Sequence, residues 1–162
     1  MNKIKLRINR LFNYIFGEKF KKKLDYKWES YPTRIRIIQE IIEYKKYKRY
    51  LEIGCDNDDL FSKIKIDLKI GVDPISGGTL RTTSDNFFKI NKDLFDIVFI
   101  DGLHHYEQVK KDVINSLNCI KENGVIILHD CIPKSYLEQA VPRSQYLWTG
   151  DVWKAFVEIR TK

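Results

Sequence analysis

The sequence predicts an α/β protein in which an open, mostly parallel sheet carries helices on both faces. Residues 97–100 and 125–128 are two runs of four aliphatic or aromatic residues separated by a helix-length segment. This pattern is typical of buried strands in a parallel sheet. Both runs end abruptly in acidic and histidine residues, and ligands bind beyond the carboxyl ends of such strands. A functional site is therefore expected there, although a chance enrichment of polar residues in turns is the alternative.

Helices and strands alternate along the chain, which supports this fold class. The first helix is indicated by isoleucines spaced three and four apart, and the strands are apolar runs bounded by Gly, Asp or Pro. The predicted order is a helix from Pro32 to about Tyr47, a strand at 49–53, a helix at 60–66, a strand at 69–72, a weak strand at 80–83, a strand at 95–100, a helix at 106–121, a strand at 124–128 and a helix from Asp151 to about Arg160.

The positive charge of the chain is confined to its N-terminal segment. The net charge is +7, and residues 1–27 contain nine Lys or Arg and two Asp or Glu, whereas residues 28–162 contain twenty of each. We therefore divide the chain into a basic arm, 1–27, and one domain, 28–162, whose length and 43% hydrophobic content allow a single core. Because the domain has no net positive charge, no nucleic-acid partner is expected.

The basic arm has the pattern of an amphipathic helix that ends near Gly17. Three interpretations of this helix stay open: contact with an anionic membrane surface, packing on a partner subunit, or coverage of the core of its own domain. No apolar run is long enough for a membrane-spanning helix or a signal peptide, and the three cysteines lack a paired metal spacing. A cytoplasmic location is expected, at the inner membrane surface under the first interpretation. The apolar positions are Ile4, Ile8, Leu11, Phe12, Ile15 and Phe16.

The first predicted strand leads into Gly54, and the second ends at Asp73, nineteen residues later. This spacing is typical of a Rossmann-like sheet whose acid accepts hydrogen bonds from ribose hydroxyls, so a nucleotide cofactor is expected. Asp56, Asp58 and Asp59 in the first loop would repel the pyrophosphate of NAD. S-adenosylmethionine has a cationic sulfonium and ammonium and no phosphate, so the acidic loop favours it. Alternatively, these acids only cap the next helix.

Five motifs, taken in order, resemble the class I S-adenosylmethionine-dependent methyltransferases, in particular the bacterial small-molecule and sugar O-methyltransferases. The resemblance covers residues 33–160 and implies O-methylation of a sugar or another small-molecule hydroxyl. It also implies a Rossmann-like sheet, here without the C-terminal hairpin of strands 6 and 7. The motifs are Leu-Glu-Ile-Gly-Cys at 51–55, Gly-Val-Asp-Pro at 71–74, Thr-Ser-Asp-Asn-Phe-Phe at 83–88, Phe-Asp-Ile-Val-Phe-Ile-Asp-Gly-Leu-His-His at 95–105 and Leu-His-Asp-Cys at 128–131.

The resemblance implies a cofactor site at the ends of three strands. Glu52 and Gly54 would flank the methionine end of the cofactor, and Asp73 would hold the ribose. Asp56 belongs to the same acidic loop. The remaining cofactor positions are Ser84 and Asp85 near the adenine, and Asp101 facing both the methionine and the acceptor.

Transfer to a hydroxyl needs either a base or a metal ion that acidifies the hydroxyl. His104 and His105 are the candidate bases, with Asp101 as the third catalytic residue. Asp101, Asp130 and His129 form a candidate site for Mg²⁺, Mn²⁺ or Zn²⁺. In the similar catechol-type enzymes an Asp-Asn pair closes the last parallel strand, whereas this chain has Asp130 followed by Cys131.

Other functions and partners stay open at this stage. A sheet without its last hairpin would leave an open edge, which a second copy of the chain could cover. A non-catalytic or truncated module that binds S-adenosylmethionine is one alternative function, and an NAD-dependent enzyme is another. The expected acceptor is a small molecule or saccharide.

Overall fold

The structure is a computed structural model that describes residues 2–20, 27 and 30–161. The chain folds as two compact units. Unit 1 comprises the described parts of Met1–Trp28, His104–Lys110 and Asp130–Lys162, and unit 2 comprises those of Glu29–Leu103 and Lys111–His129. The predicted division into 1–27 and 28–162 stays a prediction, since unit 1 joins three separate stretches of the chain.

Helices and parallel strands alternate, as predicted. The strands form one sheet in unit 2 in the order β2-β1-β3-β4, with every neighbouring pair parallel. The elements of the described residues are α1 (Lys3–Phe16), α2 (Arg34–Lys45), β1 (Arg49–Ile53), β2 (Leu68–Val72), α3 (Ser84–Ile90), β3 (Phe95–Ile100), α4 (Tyr106–Leu117), β4 (Ile120–Leu128) and α5 (Val152–Thr161).

Both faces of the two central strands are buried. β1 and β3 pair in register, so side chains that alternate along each strand form two matching rows. One row packs in a cluster with Ile38 and Ile42 of α2. Its members are Tyr50, Ile97 and Phe99, whereas Leu51, Ile53, Val98 and Ile100 are buried on the opposite face. This double burial is the reason that the strands are continuous apolar runs in the sequence.

The predicted weak strand at 80–83 is wrong. Leu80 makes only an isolated bridge with Val72. The backbone N–H groups of Thr79 and Leu80 both donate to the carbonyl oxygen of Gly71, at 2.8 and 2.9 Å. This arrangement turns the chain back onto β2 instead of extending a ladder of hydrogen bonds, so the sheet of the described residues has four strands. The other four predicted strands are confirmed, with shifts at their ends.

Two helix predictions also need correction. The predicted helix at 60–66 is a single turn of 3-10 helix, Phe61–Lys63, because Leu60 before it provides no side-chain cap. The helix α3 was not predicted, although Thr83 caps it by accepting a hydrogen bond from the N–H of Asn86 at 3.2 Å. The helix predicted at 106–121 ends earlier, at Leu117, because β4 already begins at Ile120.

In unit 1, α1 and α5 confirm the two terminal helices, and α1 ends at Gly17 as predicted. The apolar side of α1 is exposed in the part of the chain that the structure describes, since Ile8 and Leu11 are 63% and 62% exposed. The interpretation in which this side covers the core of its own domain is therefore wrong. None of the helices in the described part of the chain has the length and apolar character needed to cross a bilayer.

Candidate functional site

The strand order creates a crevice between β1 and β3. The chain passes from β1 to β2 on one side and then crosses to β3 on the other, so the direction of the connections reverses between these two strands. Ligands bind at such a switch point, beyond the carboxyl ends of the strands. Gly54, Asp73 and Asp101 directly follow the paired row that ends β1, β2 and β3.

Gly54 keeps the floor of this crevice open. Its φ angle is +85°, and a Cβ atom at this position would lie 2.3 Å from the carbonyl oxygen of Asp101. Only glycine adopts this conformation without strain and lets the two backbones approach so closely. The backbone of Gly54 also donates to the carbonyl oxygen of Val72 at 2.9 Å, which connects the turn to β2.

Asp73 is held by its own neighbourhood. Its carboxylate accepts four backbone N–H bonds, from Cys55 and Asp56 at 3.0 Å each, and from Ile75 and Ser76 at 2.7 and 2.9 Å. Burial raises the pKa of Asp73, but the four N–H donors outweigh burial and lower it below its ordinary value. Asp73 is therefore an ionised carboxylate that orders both the first and the second strand-end loops.

The carboxyl group of Glu52 has a different hydrogen-bonding environment from that of Asp73, since its donor is the hydroxyl of Tyr50 and not a set of backbone N–H groups. It is 1% exposed, and the hydroxyl of Tyr50 donates to its Oε2 at 2.5 Å. Burial raises the pKa of Glu52 to about 7, since the hydrogen bond from Tyr50 and the positive charge of Arg34 only partly compensate for the lost solvation and the charge of Asp101. Glu52 thus provides a carboxyl group that a bound cation would ionise at neutral pH.

Asp101 lies between two nitrogen donors. Arg34 Nη1 donates to its Oδ2 at 2.8 Å, and His129 Nδ1 lies 3.1 Å from its Oδ1. Since the carboxylate only accepts, the proton of His129 is assigned to Nδ1. The sequence analysis missed Arg34, because the two partners are 67 residues apart and no local pattern connects the start of α2 to the end of β3.

The acidic loop after β1 contains one aspartate that binds the neighbouring loop and two aspartates that are exposed to solvent. Asp58 accepts the N–H of Gly78 at 2.6 Å, which fixes the first loop to the second. Asp56 and Asp59 are exposed. The alternative in which these acids cap a following helix is not supported, since the turn that follows has no side-chain cap.

Ser84 and Asp85, the expected adenine neighbours, form the first turn of α3. Both are half-buried, and Asp85 lies 4.0 Å from the ammonium of Lys111. Their predicted role in adenine binding stays a prediction.

In unit 1, His104 is oriented by two acceptors. Its Nδ1 lies 3.3 Å from Asp130 Oδ2 and 3.1 Å from the carbonyl oxygen of Trp148. Both partners are acceptors, so a proton is assigned to Nδ1. The ring of His104 also stacks on Trp148 at 5.5 Å, and His105 meets the same indole edge-on at 5.6 Å. His104 therefore has the arrangement of a general base, with Asp130 as its orienting carboxylate.

Two further contacts fix this loop. A Cβ atom on Gly150 would lie 1.8 Å from the carbonyl oxygen of His104, so the two backbones touch. Asp151 accepts the N–H of Tyr106 at 2.7 Å and thus caps α4.

A cleft in unit 1 of about 430 Å³ adjoins the His104 partners. The cleft combines aromatic side chains with side chains of both charges. Trp153 is not among the lining residues, and its indole N–H donates to Gln139 at 2.8 Å. The lining residues are Asp130, Ile132, Lys134, Glu138, Tyr146, Leu147, Trp148 and Thr149.

The carboxylate of Asp101, a member of the predicted metal set, already has nitrogen partners in this structure. Both of its oxygens have partners, and the guanidinium of Arg34 would repel a metal ion at the same carboxylate. Burial, and then the charge of Asp130, raise the pKa of the Cys131 thiol to about 11, so Cys131 is a neutral thiol at neutral pH. The predicted metal set of Asp101, Asp130 and His129 stays a prediction that this arrangement does not favour.

Known proteins that are similar to this chain include methyltransferases. Residues 58–131 match the model of a family described as a methyltransferase domain. The chain is similar in structure to the O-methyltransferase from Bacillus cereus in complex with SAH, with a TM-score of 0.59 and 12% identity over 100% of this chain and 81% of that chain. A Staphylococcus aureus structure assigned as a caffeoyl-CoA O-methyltransferase has a TM-score of 0.48 and 16% identity, over 78% of this chain and 66% of that chain. No curated protein matches the sequence.

Residues 58–131 thus match a methyltransferase domain, and the described sheet has the Rossmann-like fold that the Bacillus cereus O-methyltransferase also has.

Proposed function

We propose that this chain transfers a methyl group from S-adenosylmethionine to a hydroxyl of a sugar or another small molecule. The observation that carries the proposal is the β1–β3 crevice, where Gly54 opens the floor and carboxylates end three neighbouring strands. In this proposal the crevice holds the methyl donor, and His104 is the candidate base for the acceptor hydroxyl.

The charges at the crevice favour S-adenosylmethionine over a dinucleotide. Glu52, Asp73 and Asp101 belong to the strand ends, and the exposed Asp56 adds a fourth carboxylate. These acids attract the sulfonium and ammonium of S-adenosylmethionine and repel the phosphates of NAD. The SAH in the Bacillus cereus structure supports the same cofactor.

Asp73 constrains how the ribose is bound. A carboxylate offers about four lone-pair sites, and four backbone N–H groups already donate to Asp73. The ribose hydroxyls would therefore share acceptor sites with these donors or displace the loop that contains Ile75 and Ser76. We infer that Asp73 contributes by ordering the loop as well as by contacting the cofactor.

His104 supports transfer to a hydroxyl group. Nε2 would accept the hydroxyl proton while the oxygen forms its bond to the methyl carbon and the carbon–sulfur bond breaks, leaving a neutral thioether. Asp130 would stabilise the imidazolium that results.

The unit 1 cleft supports a saccharide or similar polar acceptor. Trp148 and Tyr146 offer apolar ring faces, while Asp130, Lys134 and Glu138 offer hydrogen-bond partners. This combination suits a ring that is apolar on its faces and carries hydroxyls at its edge.

The test is transfer of a labelled methyl group from S-adenosylmethionine to a panel of sugars and nucleotide sugars. We expect His104→Ala to lower turnover about a hundredfold or more, the usual contribution of a general base. His105→Ala is the matched control and should lower turnover far less, because the structure orients only His104 through a carboxylate.

Both variants should bind S-adenosylmethionine as the wild type does. Equal turnover in His104→Ala and the wild type would contradict the assigned base. Cofactor binding without transfer to any acceptor would instead favour the non-catalytic alternative.

A further inference from the structure

The helix α1 is fixed to unit 1 by a polar side. Leu6 on this side is 7% exposed. The side-chain amides of Asn9 and Asn13 donate to the backbone carbonyl oxygens of Arg143 and Pro142, at 2.8 Å each. Because these contacts lie three and four residues apart along the helix, they set its rotation about its own axis.

The apolar side of α1 points to solvent as a consequence. Amphipathic helices of globular proteins usually pack this side inward, and here the packing is reversed. An exposed apolar surface of this kind marks an interaction site. The exposed side chains are Ile4 at 65%, Ile8 at 63%, Leu11 at 62%, Phe12 at 46%, Ile15 at 58% and Phe16 at 72%.

Positive charge accompanies this surface. Lys3, Lys5, Arg7 and Arg10 are all exposed on the same helix. The whole net charge of +7 lies in residues 1–27, since the rest of the chain is balanced. A partner with both an apolar phase and negative charge would therefore complement α1.

We propose that α1 binds the surface of an anionic phospholipid bilayer. Its apolar side would enter the boundary between headgroups and acyl chains, while its basic residues contact the headgroup phosphates. A second copy of the chain is the less favourable occupant, because two copies of this helix would bring like charges together. This surface is independent of the methyl-transfer site.

The test is co-sedimentation of the full chain with vesicles of phosphatidylcholine, alone or mixed with phosphatidylglycerol. We expect binding to the mixed vesicles only, and weaker binding at high salt because surface charges are screened. The double variant Ile8→Asp/Leu11→Asp should bind at least about a hundredfold more weakly, since it removes two buried apolar side chains and adds two negative charges. Both positions are exposed, so its circular dichroism and thermal melting should match those of the wild type.

The matched control is Tyr44→Asp/Ile90→Asp, which makes the same change of charge at residues that are 84% and 76% exposed on α2 and α3. It should bind the mixed vesicles within about twofold of the wild type, apart from the small effect of net charge. Equal binding to both vesicle types, unchanged binding by the α1 variant, or an equal loss in the control would overturn the proposal. A dimer in solution that only the α1 variant abolishes, without vesicle binding, would assign the surface to a second copy.

Discussion

The pKa values of two carboxyl groups of the crevice, Glu52 and Asp73, shift in opposite directions, and hydrogen bonding decides the direction of each shift. Burial raises the pKa of both Glu52 and Asp73. Four backbone N–H donors outweigh it at Asp73, whereas the single hydroxyl of Tyr50 does not outweigh it at Glu52. At neutral pH, Asp73 is therefore a fixed charge, and Glu52 is an acid that can become charged when a cation arrives.

We expect Glu52→Gln to flatten the dependence of stability on pH. The folded-state pKa of Glu52 is about 7 and its ordinary value is 4.5. A raised pKa means that the folded state holds its proton more tightly. The stability that this proton provides is complete below the ordinary pKa and is lost as pH rises through about 7. Between pH 5 and 8 the wild type should lose about 2 kcal/mol relative to the variant.

Urea unfolding at several pH values measures this difference. The glutamine keeps an acceptor for the hydroxyl of Tyr50, so the variant isolates the charge from the hydrogen bond. Parallel curves of stability against pH for the two proteins would show that Glu52 has an ordinary pKa in the folded state.

At the scale of elements, the turn from β1 into the first loop determines whether the crevice exists. Gly54 has a left-handed backbone and lies against the carbonyl oxygen of Asp101, whereas a Cβ atom on Gly102 would make a tight contact, 3.3 Å, with the side chain of Ile53. Alanine substitutions at these two glycines therefore compare how much each turn contributes to stability and cofactor binding.

We expect Gly54→Ala to destabilise the protein by about 3 kcal/mol or more and to abolish cofactor binding, because the methyl group would lie 2.3 Å from a backbone oxygen at a φ of +85°. Gly102→Ala should cost about 1 kcal/mol, since its nearest contact is a methyl group of the Ile53 side chain at 3.3 Å, which a small shift relieves, and not a backbone oxygen. Urea unfolding gives both values. Similar losses in the two variants would contradict the role assigned to the Gly54 turn.

Local patterns predicted most elements but not all of their ends. The strands were predictable because burial on both faces requires continuous apolar runs, as in residues 97–100. The segment at 80–83 was not, because whether Leu80 extends a ladder or closes a turn depends on Gly71 in another strand. The helix α3 has a capping threonine, Thr83, but its seven residues are too short for a clear periodicity.

The candidate site was predictable only as residue types at strand ends. Asp73, Asp101 and His104 follow from the positions of the strands. Their partners do not, since Arg34 and His129 lie far from Asp101 along the chain and no spacing connects them. The exposed side of α1 was predictable as a pattern, but its direction was not, because it depends on contacts with residues more than 120 positions away.

At the scale of the whole molecule, different parts of the chain have different tasks in the proposed methyl transfer and membrane binding. Under the proposed function, the crevice of unit 2 would bind the methyl donor, and His104 of unit 1 would act as the base. Unit 1 also contains a basic helix with an exposed apolar side. β4 lies at one edge of the sheet, and its cover by a second copy of the chain stays a prediction. The proposed methyl transfer depends on the identity of the cofactor, whereas membrane binding by α1 does not.

Calorimetric titration of the full chain with S-adenosylmethionine and, separately, with NAD tests this identity most directly. The acidic crevice predicts saturable binding of S-adenosylmethionine and no detectable binding of NAD, because the same carboxylates attract a sulfonium and repel a pyrophosphate. The affinity for S-adenosylmethionine should also rise between pH 6 and 8 as Glu52 ionises, since its pKa is about 7. Tight binding of NAD without any binding of S-adenosylmethionine would contradict the account.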